Sequence, residues 1–367
     1  MEGDGELRAD PLEQAMTGSR SLARLKGDVR TALKAAAGPA GRTVGLNLLS
    51  QDETQARLNA YTGSDLPGAG LQVLTVGQHG VRRLDVLRAG LVRVNGRDVL
   101  DVDYGNRAAF QSTRIAVDRA RHALVLWSHL WTGYYHWVVD VLPKICLFQA
   151  AYGASLEGRT LCYPSFGEPY EGEYLRLLGI PQDQVLDTRQ YRLVRVAEDV
   201  ALVPLPGWYK IQPAVGLLRN RLTDVGSGSG SGRIYLSRSG RRVVTNEDQV
   251  VALLTSYGFE FVQDCPRPVE EQIGLFRHAS VIVAPHGAAL ANLTWSAPGT
   301  LLIELLPARY PPGPESFYET LCSMLGLRYR SLVERNGDGG PRHWTAMRDD
   351  ITVDVAALGR ALEEDLA

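Results

Sequence analysis

The chain has 367 residues, of which 45% are hydrophobic and 22% charged, with a formal net charge of −2. That length exceeds one ordinary hydrophobic core, so two domains are expected, and the near-neutral globular composition excludes a disordered, fibrous or nucleic-acid-coating protein. No apolar run approaches the roughly 18 residues needed to cross a bilayer, and the acidic, Gly-rich start lacks the basic and apolar regions of a signal peptide.

A cytoplasmic location is therefore expected, with peripheral attachment to the inner face of a membrane left open. Cys146, Cys162, Cys265 and Cys322 stand far apart without CxxC or Cys/His pairing. This spacing points to reduced thiols and to no metal site. Oligomeric state is not legible.

In chain order, residues 1–42 are rich in Ala, Gly and charge with weak periodicity and are expected to form an arm. Residues 43–225 form a mixed first lobe. It holds a short strand at 71–76, a hairpin around Asn95-Gly96, a strand at 123–127 and a longer helix at 134–151, which Pro143 should kink. Residues 226–232 alternate strictly between Gly and Ser, a linker composition, natural or introduced, that marks a boundary.

Residues 233–350 then alternate regularly. Strands are expected at 233–237, 259–262, 281–284, 301–305 and 327–329. Helices are expected between them, one capped by Asn246 and ending at Gly258, the others at 269–278, 288–295 and 316–325. This is the pattern of parallel βαβ units in a doubly wound sheet, whose ligands bind at the carboxyl ends of the strands. Residues 351–367 read as a closing amphipathic helix capped by Asp354.

Four features can carry chemistry. The turn from Ala284 to Asn292 follows an apolar strand, and its small residues Gly287, Ala288 and Ala289 would let a pyrophosphate approach the backbone beside His286. It reads equally as a tight strand-to-helix connection. The run Ser237-Arg238-Ser239-Gly240-Arg241-Arg242 lies at the same sheet edge, where three guanidiniums can neutralise a diphosphate without a metal. A solvated basic turn is the alternative.

Glu304 falls in the last turn of an apolar strand, where a carboxylate needs a partner. It can accept ribose hydroxyls or pair with one of the arginines. His136 and Asp140 stand four apart on one helix face, so either can act as a general base, or the two can form a structural pair. Tyr134, Tyr135 and Trp137 can form a sugar-stacking wall on the acceptor side or simply core.

Taken together, these segments resemble glycosyltransferase family 61. The resemblance rests on Tyr135-His136-Trp137 with Asp140 and Leu142-Pro143; on Tyr235-Leu236-Ser237-Arg238 with Arg241-Arg242 and Asn246-Glu247; on Glu271-Gln272 with Phe276; on Ala284-Pro285-His286-Gly287-Ala288 with Asn292; and on Pro298-Gly299 with Ile303-Glu304. It covers about residues 133–305. Relatives of this kind include plant xylan arabinosyl- and xylosyltransferases, secretory-pathway O-GlcNAc transferases and bacterial capsular-polysaccharide proteins. The absence of an anchor favours a bacterial member.

The resemblance implies an α/β fold of GT-B type, with two facing Rossmann-like lobes around a cleft. It implies an inverting, metal-independent transfer of sugar from a nucleotide-sugar, by default a UDP-sugar, to a hydroxyl of a glycan or other acceptor. The donor-side candidates are then Arg238, Arg241, Arg242, His286, Gly287, Ala288, Ala289, Asn292 and Glu304. The catalytic candidates are Asp140 and His136, with Tyr135 and Trp137 on the acceptor side. Ala289 departs from the family pattern, which has Gly there. A non-catalytic nucleotide-sugar- or glycan-binding module of the same fold is the competing reading, and a dinucleotide oxidoreductase is disfavoured because no GxGxxG follows a strand.

Overall fold

A computed structural model describes residues 47–48, 72–78, 80–88, 90, 92–99, 117–126, 133–153, 156–202, 212–226, 232–308, 310, 317–334 and 348–366. The expected arm at 1–42 and residues 227–231 of the Gly-Ser tract lie outside the described residues. Contacts divide the chain into two units, one drawn from residues 1–129, 147–166 and 180–210, the other from 130–146, 167–179 and 211–367.

The first unit is built on a mixed nine-stranded sheet. Strands β1 (Asn47–Leu48), β2 (Gln72–Thr75), β3 (Leu84–Leu87), β4 (Val92–Val94) and β5 (Arg97–Val99) form its antiparallel part. Strands β6 (Val117–Val125), β7 (Thr160–Tyr163), β8 (Val185–Asp187) and β9 (Leu193–Leu202) form its parallel part. The order runs β5-β4-β3-β9-β6-β7-β8, with β2 also on β9.

The Asn95-Gly96 turn joins β4 to β5 as expected. Both residues have positive φ, 50° and 81°, the geometry of a two-residue hairpin whose twist matches its strands. Buried Leu84, Val86, Val92, Val94, Val194 and Val196 pack beside this hairpin. The expectation of a Rossmann-like first lobe fits β6 to β9 only, because β1 to β5 run antiparallel.

The second unit contains a five-stranded sheet whose adjacent strands all run parallel. Its members are β10 (Arg233–Leu236), β11 (Glu260–Val262), β12 (Val281–Pro285), β13 (Leu301–Leu306) and β14 (Arg328–Val333), in the order β11-β10-β12-β13-β14. The chain therefore starts inside the sheet, winds one way to β11, and reverses at β12. The carboxyl edge between β10 and β12 is the topological switch point, where a ligand can enter between diverging connections.

Strand β12 is buried throughout, as is β13, which suits continuous apolar runs in a parallel sheet. The helices of this unit are α1 (Tyr134–His136), the first turns of α2 (Leu142–Tyr152), α3 (Pro169–Leu177), α4 (Gln212–Arg221), α5 (Glu247–Ser256), α6 (Val269–His278), α7 (Phe317–Leu325) and α8 (Val355–Leu366). Between β12 and β13, Ala288–Trp295 is a 3₁₀-helix.

Asp354 caps α8 as expected, its carboxylate accepting from Ala357 N at 2.9 Å. Leu358 and Leu362 then join Val250 and Leu254 of α5 in the core over β10 and β12. Asn246 precedes α5 but does not cap it with its side chain. Its Oδ1 accepts from Val353 N and its Nδ2 donates to Val353 O, both at 2.9 Å, so it clips the segment leading to α8.

The break near Pro143 also takes another form than a kink. Trp137–Val141 is a π-helical turn, with Leu142 N donating back to Trp137 O, and Pro143 sits in the first turn of α2. A proline ring crowds the backbone one turn earlier, and the extra residue in the turn relieves that crowding. Asp140 lies within it.

Candidate active site

The site is assembled at the carboxyl edge of the second unit's sheet, from the loops after β10, β12 and β13. Acidic groups fix the loop after β10. Glu247 Oε1 accepts from Tyr235 OH at 2.8 Å and Ser237 Oγ at 2.9 Å. Asp264 Oδ2 accepts from Ser239 N and Ser239 Oγ at 2.7 and 2.8 Å, and Asp350 from Val243 N at 3.1 Å. These carboxylates bind the loop's frame, and they do so without pairing with the guanidinium groups of Arg238.

Arg238 is folded back over the neighbouring turn. Its Nε donates to Arg241 O at 2.5 Å and its Nη1 to His286 O at 3.2 Å. It passes so close to Gly287 that a β-carbon there would stand 1.7 Å from Nη1 and 2.9 Å from Cζ. Gly287 has an extended backbone, φ −179°, so glycine is needed for space alone.

Burial lowers the pKa of Arg238, partly offset by Asp264. Burial first, and then Arg238 beside it, lowers Arg242 to about 10. Arg242 also holds a left-handed backbone, φ 59°, which costs about 1–2 kcal/mol in a residue with a β-carbon. Strain of that kind persists where the surroundings impose it, often at functional sites. Arg241 is exposed. Two half-buried cations thus sit side by side at the switch point, repelling one another, in the arrangement that an anion of two or more charges relieves.

His286 is 5% exposed and its Nδ1 donates to Glu304 Oε1 at 2.6 Å. The second oxygen of Glu304 accepts from Tyr329 OH at 2.7 Å. Glu304 is fully buried, so the sequence options of ribose acceptor or arginine partner give way to a third. Register explains it: Ala284 of β12 pairs with Glu304 on β13, one residue before β12 ends, which brings the histidine two residues later over the carboxylate.

Rings of Tyr310 and Tyr318 lie 5.3 and 5.2 Å from the imidazole. Tyr318 OH donates to Gly287 O at 2.5 Å. Burial raises both phenols, and Glu304 adds to the effect, so each stays protonated as a donor.

The helix-face pair belongs to the same compact unit as this turn, although the sequence boundaries put it in the first lobe. His136 Nδ1 donates to Asp140 Oδ2 at 2.5 Å, with side chains 12% and 14% exposed. Tyr135 packs edge-on against His136 at 5.2 Å and against Tyr318 at 5.7 Å. A continuous arc of rings therefore links His136 to His286 through Tyr135 and Tyr318.

Two of the sequence candidates serve the frame instead. Asn292 is 1% exposed: its Oδ1 accepts from Tyr134 OH at 2.8 Å and Trp295 Nε1 at 3.2 Å, and its Nδ2 donates to Gln272 at 3.1 Å. That network ties α1 to α6 and the 3₁₀-helix. Burial in it pushes the Tyr134 phenol up to about 12. Trp137 is 2% exposed and packs in the core, so it offers no stacking wall. Ala288 and Ala289 are exposed at the start of the 3₁₀-helix.

The sequence reading missed Tyr310, Tyr318 and Tyr329, which carry no motif, and Asp264, which accepts from the backbone and hydroxyl of Ser239. A carboxylate two residues beyond a strand, as at Asp264, was the single signal available.

A parallel sheet of this order with cations gathered at its switch point is consistent with an α/β glycosyltransferase fold. Residues 134–303 match the family model described as Glycosyltransferase 61. The match opens on the first residue of α1 and spans the His136–Asp140 pair, the arginine loop and the His286 turn.

Among similar proteins, the chain is 31% identical over 96 residues to the xylan glycosyltransferase MUCI21 of Arabidopsis thaliana, covering 25% of this chain and 19% of that protein. It is 29% identical over 106 residues to the EGF domain-specific O-linked N-acetylglucosamine transferase of Drosophila melanogaster, covering 28% and 20%. It is also 29% identical over 109 residues to the protein O-linked-mannose beta-1,4-N-acetylglucosaminyltransferase 2 of Takifugu rubripes, covering 28% and 18%. The matches thus span about a fifth of the length of these relatives.

Proposed function

We propose that the protein transfers a sugar from a nucleotide-sugar, by default UDP-linked, to a hydroxyl of a glycan or other acceptor, with inversion and without a metal ion. The observation that carries this reading is the pair Arg238 and Arg242 at the switch point, in one unit with the His136–Asp140 pair. The guanidiniums keep their charge at neutral pH and supply the stabilisation that a departing diphosphate needs.

His136 is the base in this mechanism. Because its Nδ1–H is committed to Asp140, Nε2 is the nitrogen with a lone pair, and Asp140 orients the ring and stabilises the imidazolium. Nε2 takes the acceptor hydroxyl's proton as the acceptor oxygen forms its bond to the anomeric carbon. The bond from that carbon to the β-phosphate oxygen breaks, and its electron pair leaves with the nucleoside diphosphate between Arg238 and Arg242. A GT-B architecture belongs to the same reading.

The test is calorimetric titration with UDP, GDP and CMP in the presence of EDTA, followed by donor-turnover assays. One nucleotide should bind despite the chelator and bind about 10- to 150-fold more weakly to Arg238→Ala and Arg242→Ala. Asp140→Asn and His136→Ala should lower turnover by about 10²- to 10⁴-fold with nucleotide affinity unchanged. Absence of nucleotide binding by the parent protein would refute the assignment, and undiminished turnover in both base variants would refute the mechanism.

A further inference from the structure

A buried carboxylate is costly unless its oxygens are paired. Both oxygens of Glu304 are paired, one with His286 and one with Tyr329, so Glu304 reaches a ligand only through the imidazole. With Nδ1 committed, Nε2 is the ring nitrogen left for a ligand. The imidazole belongs to the residue whose carbonyl holds Arg238, and the next residue lies directly beneath that guanidinium.

The charged and titratable groups around His286 come from five parts of the chain. Glu304 faces it from β13, with Tyr329 of β14 behind. Tyr318 faces it from α7 and Tyr310 from the segment after β13. From the loop after β10, Arg238 donates to the carbonyl of His286, and Arg242 lies close enough to act on Tyr310 and Tyr318. Tyr310 and Tyr318 stay neutral, since burial raises both. One anion and two cations therefore compete over a second proton on the ring: Glu304 favours it and the guanidiniums oppose it. A diphosphate laid against the arginines cancels the opposition and adds negative charge of its own.

We propose that Glu304 is a positioning residue for His286, and that binding of the donor's diphosphate draws one proton from solvent onto His286 Nε2, which then donates to a phosphate oxygen. This rests on the donor-site reading above. No bond to carbon changes in the uptake step. When the bond between the anomeric carbon and the β-phosphate oxygen breaks, the electron pair stays on that oxygen, where the imidazolium N–H reinforces the two arginines. The proton returns to solvent as the nucleoside diphosphate leaves. Glu304 thus tunes leaving-group stabilisation without touching the ligand.

The test is titration calorimetry of the full chain with UDP at about pH 8, in Hepes and in Tris, two buffers of different ionisation enthalpy. The nucleotide's terminal phosphate, with its second pKa near 6, is then fully ionised and contributes no proton change. The apparent enthalpies should differ by an amount equal to uptake of about one-half to one proton per nucleotide. Glu304→Gln keeps an oxygen for Nδ1–H and should bind UDP within about tenfold of the parent, with proton uptake near zero. A merely structural Glu304 would weaken binding and leave the proton count alone.

Equal enthalpies in the two buffers, with UDP bound, would overturn the inference and leave the donor-site reading standing. Unchanged uptake in Glu304→Gln would also overturn it. Should that variant not fold, His286→Gln decides, since buffer dependence retained there overturns the proposal. Failure of the parent to bind UDP would remove the donor-site reading and the inference together.

Discussion

Gly287→Ala separates the geometry of the arginine loop from the stability of the fold. The added methyl group would stand 1.7 Å from Arg238 Nη1, so the guanidinium must retreat by about 1.5 to 2 Å to reach van der Waals distance. The atom in the way is the far end of a flexible side chain, and an extended backbone at Gly287 accepts alanine. The fold should therefore lose less than about 1 kcal/mol.

The displaced Arg238, by contrast, gives up its bond to His286 O and the pose that aims it at the switch point. Losing one charge-assisted hydrogen bond to a ligand costs about 1.5–3 kcal/mol, or about 10- to 150-fold in affinity. Calorimetry with UDP should show that loss, and thermal unfolding should show a shift of no more than a few degrees. The decisive comparison is the double variant: because both changes act through one side chain, Gly287→Ala should add almost nothing in an Arg238→Ala background. Additive losses would show that Gly287 acts by some route other than Arg238, and undiminished binding in the single variant would refute the argument outright.

Arg242 sets a pH limit on the same affinity. Its pKa is lowered to about 10 in the folded protein, and an anionic ligand favours its protonated form. Affinity for UDP should therefore fall more steeply as pH rises through 10 than it does between pH 8 and 9; Arg242→Ala should be weak at every pH and lack the added fall, and a parent profile with no added fall up to pH 11 would contradict the assignment. Burial pushes the thiols of Cys146, Cys162 and Cys322 up to about 12, whereas Cys265 is exposed. A thiol-disulfide reagent should titrate one cysteine quickly in the native protein and four after denaturation, and two or more fast thiols would count against this packing. Gly226 has φ 76°, and a β-carbon there would lie 2.5 Å from Gly274 N and 2.8 Å from Glu270 O, both backbone atoms. Gly226→Ala should destabilise the second unit by about 2–4 kcal/mol, visible as a lower unfolding midpoint, and a wild-type midpoint would show that α6 can retreat.

The alternation of strands and helices from residue 233 onward was legible because each element carries its own period and its own punctuation. The helix Val269–His278 and the strand Val281–Pro285 stand where the apolar spacing places them, and Asp354 caps α8 through bonds to its immediate neighbours. The arginines and the His286 turn were legible for the same reason: a strand's end is local, and a parallel sheet presents all its strand ends along one edge.

What failed to show in the chain depended on partners far along it. Asn246 looks like a helix cap until residue 353 arrives to take both ends of its amide. Asn292 looks like a ligand contact until Tyr134 and Gln272 fill it. The grouping of residues 130–146 with 211–367 is likewise a matter of packing, since helical periodicity says which face is apolar but not which neighbour covers it.

The sequence by itself determined the types of chemistry on offer: fixed cations, two histidines each with a carboxylate available, and glycine where a side chain had to pass. Tertiary structure alone decided the pairings: Glu304 with His286, Arg238 over Gly287, and Tyr318 between the two histidines. Pairings of this kind are set by strand register and by the crossing of segments up to 158 residues apart, and no local pattern of residues encodes a distance of that kind.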